Sequence, residues 1–175
     1  FMEHQNITEL WTDRLYLRTL TEADADTMRE LFSDEYETRE AALEHVRWIL
    51  NHGYEGRILI VFYIWLKGTD SCIGRVYLHG KPELGGEVEI GYGIAEAYRR
   101  NGYATEAGKA AVRFAFGDFG QEVLAAIVKP ENTGSQRVIG NLGFTKRGTR
   151  VVPDENGVDC DFDYFQLFRG ETGDG

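Results

Sequence analysis

The stretch from Glu87 to Glu106, EVEIGYGIAEAYRRNGYATE, decides the fold. Its first part, Glu87 to Ile94, alternates as a strand, yet it carries Gly91 and Gly93. Glycine inside a strand marks a bulge, or a place where another backbone or a ligand comes close. Its last part, Asn101-Gly102-Tyr103-Ala104, opens a helix whose first turn holds Thr105. A helix start presents unpaired N–H groups and the positive end of the dipole, so it binds phosphate. Gly102 lets the backbone approach an anion closely and Ala104 keeps the loop uncrowded, while Arg99 and Arg100 add charge-assisted hydrogen bonds. Rossmann and P-loop proteins also place a strand, a loop and a helix in this order. The G-x-G-x-x-G spacing is absent, however, because only Gly102 falls in the loop, and no Walker lysine followed by Ser or Thr is present.

Outward from this stretch, the chain reads as one mixed-sheet α/β domain. Arg14 to Arg18 alternates polar and apolar as a half-buried strand, and Thr21 with Asp24 resembles a capping box ahead of a helix over Glu22–Phe32. A second helix spans Thr38–Asn51, with Leu43, Val46, Trp48, Ile49 and Leu50 turned mostly to the core and Gly53 as its stop. Strands follow at Arg57–Lys67 and Cys72–His79, joined by the turn Gly68–Ser71, and a Gly/Pro loop over Gly80–Gly86 leads into Glu87–Ile94. A long helix over Tyr103–Asp118 shows a small apolar face, and the continuous apolar run Glu122–Val128 is a strand covered on both sides. A short helix at Asn132–Asn141 precedes two strands, Thr145–Val152 and Asp161–Phe168, around the turn Asp154–Gly157. The predicted order is β-α-α-β-β-β-α-β-α-β-β over residues 2–169, with Gly170–Gly175 as a disordered polar tail.

A second signature lies downstream: Asn132-Thr133-Gly134-Ser135, then Val138, then Leu142-Gly143-Phe144. Together with Arg99-Arg100-Asn101-Gly102-Tyr103-Ala104, which fits a Gln/Arg-x-x-Gly-x-Gly/Ala loop, it resembles the GNAT acetyltransferase superfamily. Thr105-Glu106-Ala107 and the Asn-x-x-Ser pattern are similar to the subgroup that holds the ribosomal-protein N-terminal acetyltransferases. The resemblance runs from Thr12 to about Phe168. It implies a mostly antiparallel central sheet flanked by helices, in which Glu87–Ile94 and Glu122–Val128 splay apart. The pantetheine arm of acetyl-CoA would lie in that gap and pair with Gly91 to Ile94, which would account for the strand glycines. The other account of Gly91 and Gly93 is that they accommodate neighbouring aromatic rings.

The resemblance also implies roles. Glu89, with Glu96 as a second candidate, would take the proton from an amine acceptor, directly or through a water. A backbone N–H near Ile94 would meet the developing oxyanion. Arg99, Arg100, Asn101, Gly102, Tyr103, Ala104, Thr105 and Asn132 would hold the cofactor. Many relatives protonate the leaving thiolate with a tyrosine early in the helix after the Asn motif, but that position here is Ile139. Ser135 is the next candidate, and the departure leaves a non-catalytic acyl-CoA-binding module as the alternative reading. Acceptor recognition would fall to the two N-terminal helices, the Gly80–Gly86 loop and the Pro153–Gly157 turn, with Tyr36, Trp48, Tyr54 and Tyr92 lining that end. The acceptor, a protein N-terminus or a small amine, is left open, as is the choice between monomer and homodimer.

Composition bounds the rest. With 175 residues, 42% hydrophobic and 27% charged, the chain has the make-up of one globular domain. Phe1, ahead of Met2, reads as a cloning remnant and is set aside. A net charge of −10 argues against non-specific nucleic-acid binding and suits a cationic acceptor. The longest apolar run, Ile58 to Leu66, is about half of what a membrane helix needs, so no membrane partner and a cytoplasmic location are expected. Cys72 and Cys160 read as reduced, buried thiols, and four scattered histidines give no metal-ligand spacing.

Overall fold

The computed structural model describes residues 7–52 and 59–171. Gly53, Tyr54, Arg57, Ile58 and the last four residues of the expected tail lie outside them. Among the described residues the elements run β1 (Glu9–Trp11), β2 (Leu15–Arg18), α1 (Ala25–Leu31), α2 (Arg39–His52), β3 (Leu59–Leu66), β4 (Cys72–Gly80) and β5 (Val88–Ile94). They continue with α3 (Tyr103–Phe116), β6 (Val123–Val128), α4 (Thr133–Asn141), β7 (Thr145–Pro153) and β8 (Asp159–Phe168). The strands form one eight-stranded sheet in the order β1-β2-β3-β4-β5-β6-β8-β7. Every neighbouring pair is antiparallel except β5 and β6. The mixed, mostly antiparallel α/β fold expected from the sequence is therefore the fold observed.

Strand β3 shows why both faces of the sheet are covered. Its residues alternate: Ile60, Phe62 and Ile64 join the core beneath α3, while Val61 and Tyr63 join a separate core beneath α1 and α2. Helix α3 seats itself with Ala107, Ala111 and Ala115, small residues that let the helix lie close to the strands. Helix α1 is tied to β2 by Asp24, which is 4% exposed and takes two hydrogen bonds from Arg18, at 2.7 and 2.8 Å. The Thr21 N–H also donates to Asp24, at 2.8 Å, so the expected reciprocal link at this helix start is present on the Asp24 side.

Several boundaries differ from the sequence reading. Strand β1 was not expected; its three residues form the sheet edge against β2 and are too few to show alternation. The first helix begins with a 3₁₀ turn over Glu22–Asp24, and α3 ends at Phe116, short of Asp118. Trp48 does not face the core and is 49% exposed. The two cysteines are free but only half-buried. Gly170 and Glu171, assigned to the tail, form a turn in which Glu171 accepts from the Phe168 N–H at 3.1 Å.

The strand glycines divide between the two accounts. A Cβ added at Gly91 would lie 2.1 Å from the ring of Tyr77, its partner across β4, so Gly91 is glycine because an aromatic ring crosses it. Around a Cβ at Gly93 there is nothing within 4 Å. Gly91→Ala is expected to lower stability by about 1–3 kcal/mol, the usual range for overpacking. Tyr77→Leu should remove most of that penalty, measured as coupling in a thermal-unfolding double-mutant cycle. Equal Gly91→Ala costs in both backgrounds would place the constraint elsewhere.

Candidate active site

The pairing of β5 with β6 lasts for two residue pairs, Val88↔Leu124 and Glu89↔Ala125. Beyond Glu89 both strands continue, to Ile94 and Val128, without pairing to each other. A cavity of about 790 Å³ opens on the α3 side of this gap, within the range of small-molecule and cofactor sites. Its walls come from the end of β5 (Tyr92, Gly93, Ile94), the loop into α3, and α4.

At one wall the loop forms a candidate anion cradle. Gly102, with φ +78°, is the residue before the first turn of α3, and the first helical bond runs from the Glu106 N–H to the Gly102 carbonyl. The N–H groups of Tyr103, Ala104 and Thr105 are left without helical partners, and all three residues line the cavity. Arg100 adopts the left-handed region at φ 64°, which costs a side-chain-bearing residue about 1–2 kcal/mol. Asn101 holds that turn: its amide donates to the carbonyls of Tyr98 and Arg99, both at 3.0 Å. Asn101, expected among the cofactor ligands, thus braces the loop and does not line the cavity. Arg99 lines it but also donates from Nε to the Ile94 carbonyl at 2.8 Å, so it fixes the end of β5 as well as supplying charge.

Backbone groups alternate sides along a strand. The Ala95 N–H bonds to Ile73 on β4, so the N–H and carbonyl of Ile94 face the gap. On the facing wall Asn132 caps α4, its carbonyl oxygen accepting from the Ser135 N–H at 3.1 Å. Both residues line the cavity. Ile139, at the position where the family resemblance implied a tyrosine, is 1% exposed and belongs to the core.

Glu89 lies on the other face of β5, the side of Tyr77 and the α1–α2 core, and is 5% exposed. The structure does not bring it to the cavity wall. Burial pushes its carboxyl above the ordinary range, opposed by Lys81, whose Nζ lies 3.2 Å from Oε2. That contact lacks hydrogen-bond geometry, and Oε2 has no hydrogen-bond partner among the described residues. Glu96, by contrast, is exposed in the turn after β5. Of the aromatic residues expected at the acceptor end, Tyr36 is buried beneath α1 and α2, Tyr92 lines the cavity on the α3 side, and Tyr54 is outside the described residues.

Residues 14–145 match the family described as Acetyltransferase (GNAT) domain. The chain belongs to that family. YoaA of Bacillus subtilis, named an uncharacterized N-acetyltransferase, is 29% identical over 170 residues, covering 91% of this chain and 96% of the relative. The fold matches a ribosomal-protein-S5-alanine acetyltransferase from Vibrio fischeri with TM-score 0.78 at 18% identity, over 93% of this chain and 97% of that one. It also matches RimL, a ribosomal L7/L12 alpha-N-protein acetyltransferase solved with coenzyme A, with TM-score 0.78 at 15% identity, over 92% and 98%.

Two features around this acetyltransferase's cavity were not expected from the sequence: the whole α4 face that lines it, of which Arg137 and Asn141 are not part of the downstream signature, and Arg14. Helix α4 presents Gly134, Arg137, Val138 and Asn141 to the cavity, a spacing of three, four and seven that a helical projection of Asn132–Asn141 would have revealed. Arg14, in the β1–β2 connection, has a guanidinium nitrogen 3.4 Å from where a Cβ on Gly102 would sit, and stacks on Tyr103 at 4.5 Å. Only tertiary structure brings it there. Glu106 holds it, accepting from Arg14 Nε at 2.9 Å, the Arg14 N–H at 3.1 Å and the Thr12 hydroxyl at 2.7 Å.

Burial raises the Glu106 carboxyl, but these donors outweigh it and hold the group below the ordinary glutamate range. A depressed carboxyl stabilises above its unfolded pKa, about 4.3, and that contribution disappears as pH falls through the folded value. Glu106→Gln is therefore expected to cost about 1–2 kcal/mol at neutral pH. The difference in Tm from the parent should shrink as pH drops below the ordinary glutamate range. A constant difference across the acid range would mean that the charge of Glu106 contributes nothing.

Proposed function

We propose that this acetyltransferase uses acetyl-CoA and transfers its acetyl group directly to a primary amine, with donor and acceptor bound together. The observation that carries the reading is the cavity itself: a gap between two strands that ends on a cradle of free helix N–H groups. Arg99, Arg100 and Arg137 line it, in a chain of net charge −10. Unpaired N–H groups, a left-handed glycine without a Cβ and cations at the rim suit a pyrophosphate. The coenzyme A bound to RimL, a protein of the same fold, supports this choice of ligand.

In this reading the residues divide the work. Tyr103, Ala104 and Thr105 hold pyrophosphate with their N–H groups, while Arg99 and Arg100 neutralise it. Asn132 orders the first turn of α4 along the pantetheine arm, and Ser135 borders it. The Ile94 N–H faces the gap, where it stabilises the oxyanion as the tetrahedral centre forms. Glu89 waits on the opposite face of the sheet and takes the amine proton, directly or through a water. Its raised pKa suits that task, because a base titrating nearer neutrality transfers protons more effectively. The acceptor approaches from the α1–α2 side, so donor and acceptor meet through the gap and not in one pocket.

Calorimetric titration with acetyl-CoA, with NAD and ATP as controls, tests the ligand. Selective acetyl-CoA binding is expected, and binding weakened at least about tenfold in Gly102→Asp, which sets a carboxylate where the pyrophosphate passes. Equal affinity for all three ligands would overturn the assignment. A panel of butylamine, spermidine, lysine methyl ester and a tetrapeptide with a free N-terminus then separates small-amine from N-terminal acceptors.

For Glu89 the prediction concerns pH. Deprotonated Glu89 is the active form, so kcat should fall on the acid side as pH drops through a value above the ordinary glutamate pKa of about 4.3. Glu89→Gln should remove that limb and lower kcat by about 10²–10⁴ without weakening acetyl-CoA. An unchanged pH profile in the variant would remove Glu89 from the mechanism.

A further inference from the structure

The cavity contains a hydroxyl that the roles above leave unused. Tyr92 extends from the same face of β5 as Ile90 and Ile94, is partly buried, and lines the cavity. Its hydroxyl donates to the Ser135 carbonyl oxygen at 3.4 Å. One residue thereby spans the gap, anchored on β5 and reaching the first turn of α4. Ile94, whose N–H faces the gap, lies two residues further along the same strand side, about 7 Å away. A thioester with its carbonyl oxygen at the Ile94 N–H therefore has its sulfur within reach of a side chain from Tyr92.

We propose that Tyr92 is the proton donor to the departing coenzyme A thiolate, supplying from β5 the phenol that Ile139 cannot supply from α4. The inference rests on the acetyl-CoA reading. The amine nitrogen attacks the thioester carbonyl, a C–N bond forms and the C–S bond breaks, with its electron pair left on sulfur. The phenolic proton moves to that sulfur. The amine proton passes to Glu89 and on to water, and the Tyr92 oxygen regains a proton from solvent, so the products are amide and thiol with no change of oxidation state.

Four considerations favour Tyr92 over its neighbours. A phenol, with an ordinary pKa of about 10, lies far closer to a thiol at about 8.5 than an aliphatic hydroxyl such as Ser135 does, and proton transfer follows that match. Burial pushes the Tyr92 phenol up, so it holds its proton at neutral pH and is available as an acid. The other two phenols at the cavity, Tyr98 and Tyr103, sit in or beside the anion cradle, and Tyr103 is stacked beneath Arg14. The remaining charged side chains there are the guanidinium groups of Arg99, Arg100 and Arg137, which suit anion binding and not proton donation to sulfur.

The experiment needs no acceptor. Coenzyme A is bound to the parent protein, Tyr92→Phe and Ser135→Ala, and ionisation of its thiol is followed by thiolate ultraviolet absorbance. A donor at the sulfur stabilises the thiolate, so the bound thiol should ionise at higher pH in Tyr92→Phe, by about tenfold or more in the ionisation constant. In Ser135→Ala the shift should be smaller than in Tyr92→Phe. With any panel amine that is turned over, Tyr92→Phe should lower kcat by about 10²-fold while the acetyl-CoA Kd holds. The phenyl ring preserves the packing, and unchanged melting of the variant checks it. An unmoved thiol ionisation in Tyr92→Phe, or a shift confined to Ser135→Ala, would overturn the proposal. A parent protein that binds no coenzyme A would instead overturn the ligand assignment beneath it.

Discussion

Everything at the site depends on where one strand pairing stops. Strands β5 and β6 are the only parallel neighbours among the described strands, and they hold each other for two residue pairs. Parallel pairing offers slanted bonds and slightly less stability per residue than antiparallel pairing, so it is the natural place for a sheet to open. Each strand is secured on its other side, β5 by seven residue pairs with β4 and β6 by six with β8. The sheet can therefore part between them without unravelling. The opening leaves backbone groups on β5 facing a cavity, a situation a closed sheet never permits.

The cradle at the head of α3 shows how local strain is held in place. Arg100 takes a left-handed conformation that its side chain disfavours, and the Asn101 amide bridges two carbonyls of the same turn. Below it, Glu106 gathers three donors from the β1–β2 connection. The loop that lines the cavity thus has a carboxylate one turn behind it, paired with Arg14. A chain of net charge −10 thereby gathers Arg99, Arg100 and Arg137 around one cavity, beside the N-terminal dipole of α3.

Much of this was legible in the sequence because it rests on short-range patterns. The order of the later strands and helices followed from alternation, apolar runs and glycine punctuation, and the loop from Arg99 to Thr105, read as one unit, lies at the cavity apart from Asn101. The edge strand β1 escaped because three residues carry no period. Asn101 was taken for a ligand because spacing alone cannot distinguish a side chain aimed at an anion from one aimed at its own backbone. Arg14 is 88 residues before Gly102 in the chain, and only the sheet brings them together. Gly91 is the instructive case: two physical causes, a ligand or an aromatic neighbour, predict the same residue, and Tyr77 decides between them.

The alternation of β3 has a consequence for how such a protein can diversify. Phe62 and Ile64 belong to one core, Val61 and Tyr63 to the other, and the two clusters have no buried residue in common. Substitutions beneath α1 and α2 therefore reach the α3 layer only through the strand backbone, which is stiff, and their energetic effects should be nearly independent. The fold is in this sense two half-proteins on one scaffold. One half can keep the parts that hold a common ligand while the other drifts in shape and charge, so that new specificities arise without rebuilding the machinery on the reverse side.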